Sequence, residues 1–571
     1  MSESIYDKLS KERKRLQKEG LVPEWFTTGG YSMFTQKYEY DTNGRSVRGQ
    51  FERIAKAAAK HLKGTKFEAE AEGKFFDLMW NNWLSLSTPI MSNMGTDRAL
   101  PVSCSGGVVD DSINGFYKNR YETAILTKHG FGTSAYLGGI RPRGTPYGKD
   151  KKGTASGIWP VFKGHAQDMI DVAQGSTRRG AWAGYLEIDH KDFDEVYDHI
   201  YNDPDGMNVG WIITDAFLDR LRSGDSDAIR RYQRCLKMKM VVGRGYFWFV
   251  DKVNRKLPEQ YKRAGMKNHA SNLCVEIALP ADNEHQFTCV LSSMLVHRFD
   301  EWKDTDAVYW ATIFLDCVAE EFIQRAKDID GLEKTVRFTQ KARALGLGQA
   351  GLHTYLQDHM IPFESLEARM VSQQIAKHIW EESLRASQDM AKELGEPEWC
   401  RGFGVRNASR IAIAPTKSSA IMFGGVSEGI NPDPAMVFTQ KSAGGSIDRI
   451  VPSLLKIMKE RGVYNKKTIK SITEHFGSVQ HVDWLSDDEK AVFKTAFEIN
   501  QKTVVALASA RGRYIDQWQS LNLFFAAEER PEWISEVHQQ AFEDPNILGL
   551  YYIYTQAGIG AAKETECVAC Q

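Results

Sequence analysis

Apolar residues recur at helical spacing through much of residues 1–85, for example along FERIAKAAAKHLKG, and predict a largely helical N-terminal region. Between 105 and 184 glycines break the pattern, most densely in GGIRPRGTPYGKDKKGTASG, where loops are expected. Helical and strand-like stretches then alternate, which points to an α/β class. GYFWFV (245–250) has the length and apolar character of a short buried strand. AVYWATIFLDCVAEEFI (307–323) reads as a buried helix, with Cys317 inside it as a core thiol. Near the end, Ser486 and Glu489 have capping-box spacing. The helix they open is expected to run to about Arg511, with Gly512 as its stop.

The decapeptide SNLCVEIALP (271–280) asks for a closer reading. On an extended backbone Asn272, Cys274 and Glu276 share one face, and Leu273, Val275 and Ile277 share the other. An amide, a thiol and a carboxylate would then project together. A core strand carrying an inert thiol accounts for the segment equally well.

Composition narrows the setting. Of 571 residues, 42% are hydrophobic and 26% charged, and Lys+Arg 73 against Asp+Glu 74 leaves a net charge of −1. No global field favours nucleic acid or an anionic membrane, and neither is expected as a partner. No apolar run is long enough to span a bilayer, and the N-terminal MSESIYDKLSKERKRLQKEG lacks a signal peptide's apolar stretch. A cytoplasmic protein is expected. The eight cysteines are too sparse for a disulfide scaffold. Only Cys567 and Cys570 form C-x-x-C, with no second pair or nearby histidine, so no metal site is expected. Gly346, Gly348 and Gly351 in ALGLGQAGL match a dinucleotide fingerprint, but the preceding EKTVRFTQKARA is no apolar strand, and the match is set aside.

Cys289 follows in FTCVLSS, Cys104 lies upstream in LPVSCSGG, and Tyr551 and Tyr552 are adjacent in GLYYIYT ahead of the closing ECVACQ. With LVPEWFTTGGYSMFTQKY, LSTPIMSN, DDSINGFY, STRRGAWAGYLEIDHKDF, IAPTKSSA and RGRYIDQWQSLNLFFA, these stretches run in order along nearly the whole chain. The chain resembles the large (alpha) subunit of class I ribonucleotide reductases.

The resemblance implies a ten-stranded α/β barrel with an inner finger loop bearing the cysteine, preceded by the helical region. The divisions expected are 1–85 helical, 86–556 barrel and 557–571 a C-terminal redox tail. Because the family pattern begins near Leu21, no N-terminal ATP-binding activity domain is expected. The implied reaction converts ribonucleoside diphosphates to deoxyribonucleoside diphosphates. Cys274 would be the transient thiyl radical, Glu276 the general base on the 3′-hydroxyl, and Asn272 its orienting partner. Cys104 and Cys289 would be the reducing dithiol, and Cys567 and Cys570 the shuttle that re-reduces it from a thioredoxin- or glutaredoxin-like protein. Tyr551 and Tyr552 would relay the radical from a separate small (beta) subunit holding a metal-based cofactor; alone, they read as two aromatics on a buried strand. No cofactor is expected in this chain itself.

IAPTKSSA reads as a strand, a turn and a helix start. There Pro415, Thr416, Lys417, Ser418 and Ser419 would hold the substrate phosphate, and Thr88 and Ser103 match the family's other phosphate and ribose contacts. An ordinary serine-capped helix is the plainer reading of that stretch. Asp111, Arg141 and the loop from Gln174 to Gly180 lie where relatives bind a nucleotide effector, usually across a dimer interface; a homodimer is compatible. The segment between Cys104 and Asp111 is shortened, and LSSMLVHRF replaces the usual asparagine-bearing motif after Cys289. A cobalamin-dependent reductase would share barrel and cysteines without needing the tyrosines. A catalytically silent nucleotide-binding relative would have lost chemical positions that are all filled here. A general thiol–disulfide oxidoreductase leaves Asn272, Cys274 and Glu276 without purpose.

Overall fold

The computed structural model describes residues 5–40, 46–172, 180–204, 208–442 and 445–556. Cys567, Cys570 and residues 174–179 lie outside them. The N-terminal region is helical, as its periodicity predicts: Ile5–Lys18, Thr28–Met33, a π-helical turn Phe34–Tyr38, Val47–Ala59 and Glu68–Trp80. Val47–Ala59 turns Val47, Phe51, Ile54, Ala55 and Ala58 inward, and the Ser46 hydroxyl caps it by accepting from Gly49 N.

The strands that follow build one ring. They are β1 (Leu84–Leu86), β2 (Cys104–Val108), β3 (Gly132–Tyr136), β4 (Trp182–Glu187), β5 (Asn208–Ile212), β6 (Tyr246–Trp248), β7 (Phe287–Leu295) and β8 (Leu345–Ala350). β2 to β6 are parallel neighbours in chain order. Helices Ile113–Lys128, Trp159–Asp171 and Phe193–Asn202 make crossovers between them, as parallel pairing requires. β7 runs antiparallel to β2 and parallel to β8, and β1 also pairs with it. From β8 the ring continues without a regular ladder. Leu345 and Leu347 donate to the carbonyls of Ser409 and Arg410, Gln517 donates to Ile411, and Ile413 donates to Trp518. β9 (Leu523–Phe525) extends the 517–520 segment and pairs with β11 (Ile553–Thr555), while β10 (Gly549–Leu550), just before β11, pairs back to β6. With 409–413, 517–525 and 549–555 each taken as one strand beside β2 to β8, ten strands close the barrel, and β1 pairs alongside β7 as a short addition to it.

Helix Ala307–Ala326 is buried on nearly every side between β7 and the long helix Leu366–Leu394. Tyr246–Trp248 is the expected buried strand. The expected helix from Ser486 to Arg511 is instead two helices. The capping box is present and opens Asp487–Val492, but a second helix, Gln501–Gly512, starts afresh under an Asn500 cap. Tertiary bonds hold the break: Ala496 N donates to Asp433 O, the Glu498 carboxylate accepts from Ser478, and Asn500 N and Lys494 bind Glu364. Gly512 is not a left-handed stop but lies within the helix, where a Cβ would stand 3.2 Å from the Trp518 ring.

Gly346 and Gly348 lie inside β8, and helix Glu333–Ala342 precedes that strand, so the set-aside fingerprint is no nucleotide loop. These glycines serve close approach: a Cβ on Gly346 would stand 2.8 Å from Cys289 Sγ, and one on Gly348 2.7 Å from Ala412 O. Among the described residues no helix is long and apolar enough to cross a membrane.

Candidate active site

Strand register brings the two distant cysteines together. Cys104 begins β2, Cys289 lies in β7, and their Cα atoms are direct partners in the antiparallel ladder. Neither is in a disulfide. Cys104 faces a cleft, while Cys289 is fully enclosed behind it. Burial holds the Cys289 thiol well above its ordinary pKa, opposed by the Gln517 amide, which donates to Sγ at 3.5 Å.

The decapeptide is not an extended strand. Residues 273–275 form a turn, and Val275 sits at φ +65°, a left-handed conformation that costs a β-branched residue energy. Asn272 holds this turn, its Oδ1 accepting from the backbone N of Glu276 at 3.1 Å and of Ile277 at 3.3 Å. Its Nδ2 donates to Cys104 Sγ at 3.6 Å, linking the turn to the dithiol. Three hydroxyls brace the turn through its carbonyls: Ser134 to Ser271 O, Tyr185 to Asn272 O and Ser520 to Cys274 O, at 2.6–2.8 Å. A fixed turn, not strand alternation, brings Cys274 and Glu276 to the same cleft. Nothing in the local sequence marks Ser134, Tyr185 or Ser520 for this task.

Glu276 is buried, and desolvation pushes its carboxyl up to about 7, opposed by hydrogen bonds from Asn272, its own backbone and Ser520, whose Oγ lies 3.3 Å from Oε2. A carboxyl poised there can hold or release a proton near neutrality.

Thr88, Ser103, Pro415, Thr416 and Ser419 line the same cleft as Cys104, Cys274 and Glu276. Thr88 opens helix Thr88–Asn93, and helix Lys417–Met422 starts after Thr416, whose φ is +57°. Thr416 Oγ1 accepts from Gly429 N at 2.8 Å. Lys417 is partly exposed and Ser418 buried beside this wall, outside the cleft's own lining. Ser85 and Ser292, not singled out in the sequence, also line it, and each has a buried hydroxyl with no protein partner.

Tyr551 and Tyr552 lie between β10 and β11, where the strand is irregular. That irregularity lets adjacent rings approach, with centroids 4.1 Å apart at 44°. Tyr551 is buried and Tyr552 partly exposed. Leu521 O accepts from Tyr551 N, one residue beyond the Ser520 that binds Cys274 O, so one strand links both. Tyr246, which the sequence placed only as strand, packs on both rings, and its hydroxyl lies 3.2 Å from that of Tyr552. Asp111 and Arg141 pair with each other, Nε to Oδ2 at 2.6 Å, on the surface.

Comparison with known proteins agrees with this fold. The family description "Ribonucleotide reductase, barrel domain" matches residues 102–230, 226–403 and 398–553, and "Ribonucleotide reductase, all-alpha domain" matches 24–99. The chain belongs to the ribonucleotide reductase large-subunit family. It is 33% identical to the putative ribonucleoside-diphosphate reductase large subunit of Frog virus 3, covering 88% of this chain and 93% of that one. The large subunit of Invertebrate iridescent virus 3 is 28% identical over 87% and 92%. Among solved structures, the Actinobacillus ureae class Id ribonucleotide reductase alpha subunit superposes with a TM-score of 0.85 at 35% identity, over 96% of this chain and 99% of that one.

Proposed function

We propose that the chain reduces ribonucleoside diphosphates to 2′-deoxyribonucleoside diphosphates as the large subunit of a class I ribonucleotide reductase. The observation that carries this reading is the convergence of Cys104, Cys274 and Glu276 on one buried cleft with Thr88, Ser103 and Thr416. A thiyl at Cys274 takes the 3′ hydrogen while the Glu276 carboxylate accepts the 3′-hydroxyl proton. The 2′-hydroxyl leaves as water. Cys104 and Cys289 supply two electrons and two protons and end as a disulfide, Glu276 returns its proton to O3′, and Cys274 returns its hydrogen to C3′. Burial keeps water from the radical. Asn272, spent on the turn and on Cys104, orients the sugar hydroxyl's surroundings as well as the base.

The radical comes from a small subunit carrying a metal-based cofactor. The Actinobacillus ureae relative is described as class Id, so a small subunit of that class is the first partner to test. Pro415, Thr416, Lys417, Ser418 and Ser419 anchor the phosphate. Cys567 and Cys570 pass electrons from a thioredoxin- or glutaredoxin-like protein, and the enzyme works in the cytoplasm. Helices Ile113–Lys128 and Trp159–Asp171 leave Ile113, Tyr117, Tyr121 and Ile170 exposed, a face suited to a second copy, beside the Asp111–Arg141 pair of the effector region. A mixture with small subunit and dithiol should yield deoxy products from the ribonucleoside diphosphates. Turnover with adenosylcobalamin and no small subunit would overturn the class I reading.

Two further outcomes are expected. Glu276→Gln lowers kcat by roughly 10²- to 10⁴-fold, the worth of a positioned base. The protonated acid cannot accept a proton, so wild-type kcat rises with pH through about 7, and the variant loses that limb. A flat wild-type kcat–pH profile across this range would count against the base. Replacing Cys567 and Cys570 together by serine should leave a first turnover intact and stop recycling by thioredoxin, because thiol exchange needs an accessible attacking thiolate. Wild-type steady-state turnover with thioredoxin would remove the shuttle.

A further inference from the structure

The segment LVPEWFTTGGYSMFTQKY (21–38) takes no part in the chemistry above, yet its residues brace both walls of the cleft. On the phosphate-helix side, a Cβ on Gly30 would stand 2.7 Å from Met422 O, so helix Thr28–Met33 rests directly on the end of Lys417–Met422. Trp25 stacks on Phe423 at 5.7 Å and 17°. On the other side, Tyr38 ends the π-helical turn, a distortion frequent at functional sites. Its ring is buried, and its hydroxyl lies 3.1 Å from Thr88 Oγ1. The Gln50 amide donates at 2.8 Å to both Tyr38 O and Met91 O, tying the Tyr38 backbone to helix Thr88–Asn93. The phenol and the threonine are therefore held together from two directions.

Proton counting gives this contact a direction. A threonine hydroxyl has one proton to donate, whereas a phosphate oxygen facing it can only accept. If Thr88 donates to Tyr38, it has nothing left for a phosphate. The phenol is also the more acidic hydroxyl, and so the better donor. We propose that Tyr38 is a positioning residue for the substrate phosphate: it donates its phenolic proton to Thr88 Oγ1 and so turns the threonine's single proton toward a phosphate oxygen in the cleft. This rests on the reading of Thr88 as a phosphate contact.

Tyr38→Phe keeps the ring and removes one oxygen. With cytidine diphosphate as substrate, the intact small subunit and a dithiol, its KM should rise roughly five- to tenfold, the worth of one hydrogen bond, with kcat held. Thr88→Val should raise KM at least as far. Adding Tyr38→Phe to Thr88→Val should then change nothing more, because the relay ends at that hydroxyl. A wild-type KM in Thr88→Val overturns the phosphate role of Thr88 itself. A raised KM there with a wild-type KM in Tyr38→Phe, or effects that multiply in the double variant, overturns the relay alone. A fall in kcat matching the rise in KM for Tyr38→Phe marks a loosened fold and also overturns it.

Discussion

Replacing Cys274 by serine is expected to abolish deoxynucleotide formation while leaving diphosphate binding largely unchanged. The two side chains differ by one atom, yet an alcohol O–H bond is far stronger than a thiol S–H. A serine at 274 therefore cannot be converted to the hydrogen-abstracting radical by the same oxidant. The loop should survive the change, because its braces do not run through the sulfur. Ser134, Tyr185 and Ser520 hold the carbonyls of residues 271, 272 and 274, and Asn272 holds the backbone N of Glu276 and Ile277. Equilibrium dialysis of cytidine diphosphate against the variant, beside a product assay with small subunit and dithiol, separates chemistry from binding. Turnover above background in the serine variant would take the radical away from residue 274. Loss of binding in parallel with turnover would mean that the sulfur's contribution is to packing.

The way these braces work explains what the chain could and could not reveal in advance. Elements fixed by their own composition were legible: the all-round apolar run became helix Ala307–Ala326, and GYFWFV became β6. Elements fixed by partners were not. The 271–280 segment has the alternation of a strand, and contacts from β3, β4 and the 517–520 segment, together with the Asn272 side chain, fold it into a turn with Val275 at positive φ. Likewise a correct capping box at Ser486 gave no warning that Glu364, reaching Lys494 and Asn500 from far upstream, would help break the helix beyond it.

The site shows the same division. Family motifs located Cys104 and Cys289, but their facing each other is a property of ladder register, which no local pattern encodes. Glu276 stood out as a carboxylate; its poise near neutrality comes from desolvation in the folded chain, partly opposed by hydrogen bonds such as that from the distant Ser520 hydroxyl. Tyr246 read only as a strand aromatic, since nothing in GYFWFV distinguishes a ring packed on Tyr551 from one packed in the core. Glycines gave the most misleading signal. Gly346 and Gly348 match a nucleotide motif because both need small residues near a close approach, here to Cys289 and the Ala412 backbone rather than to a pyrophosphate.

Tyr551→Phe should stop turnover as completely as Cys274→Ser, and for a reason that separates the two residues. Phenylalanine fills the same space between Tyr246 and Tyr552, so packing is kept, but its ring is much harder to oxidise and has no proton to release. Electron exchange falls steeply with separation, and a 4.1 Å ring contact is near its useful minimum, so skipping one ring forces a far slower step. Oxidation makes a phenol strongly acidic, which requires a nearby group to take its proton. Tyr552, the more exposed ring, can release that proton to solvent, and the Tyr246 hydroxyl, which itself donates to Asn208 Oδ1, lies 3.2 Å away to accept a hydrogen bond from it. Tyr552→Phe should therefore be equally inactive, even though that residue is farther from the cleft. Both variants should bind cytidine diphosphate and the small subunit normally. Substantial product from either variant with an active small subunit would mean that the radical reaches Cys274 by another route. Inactivity together with lost small-subunit binding would assign these rings to docking instead.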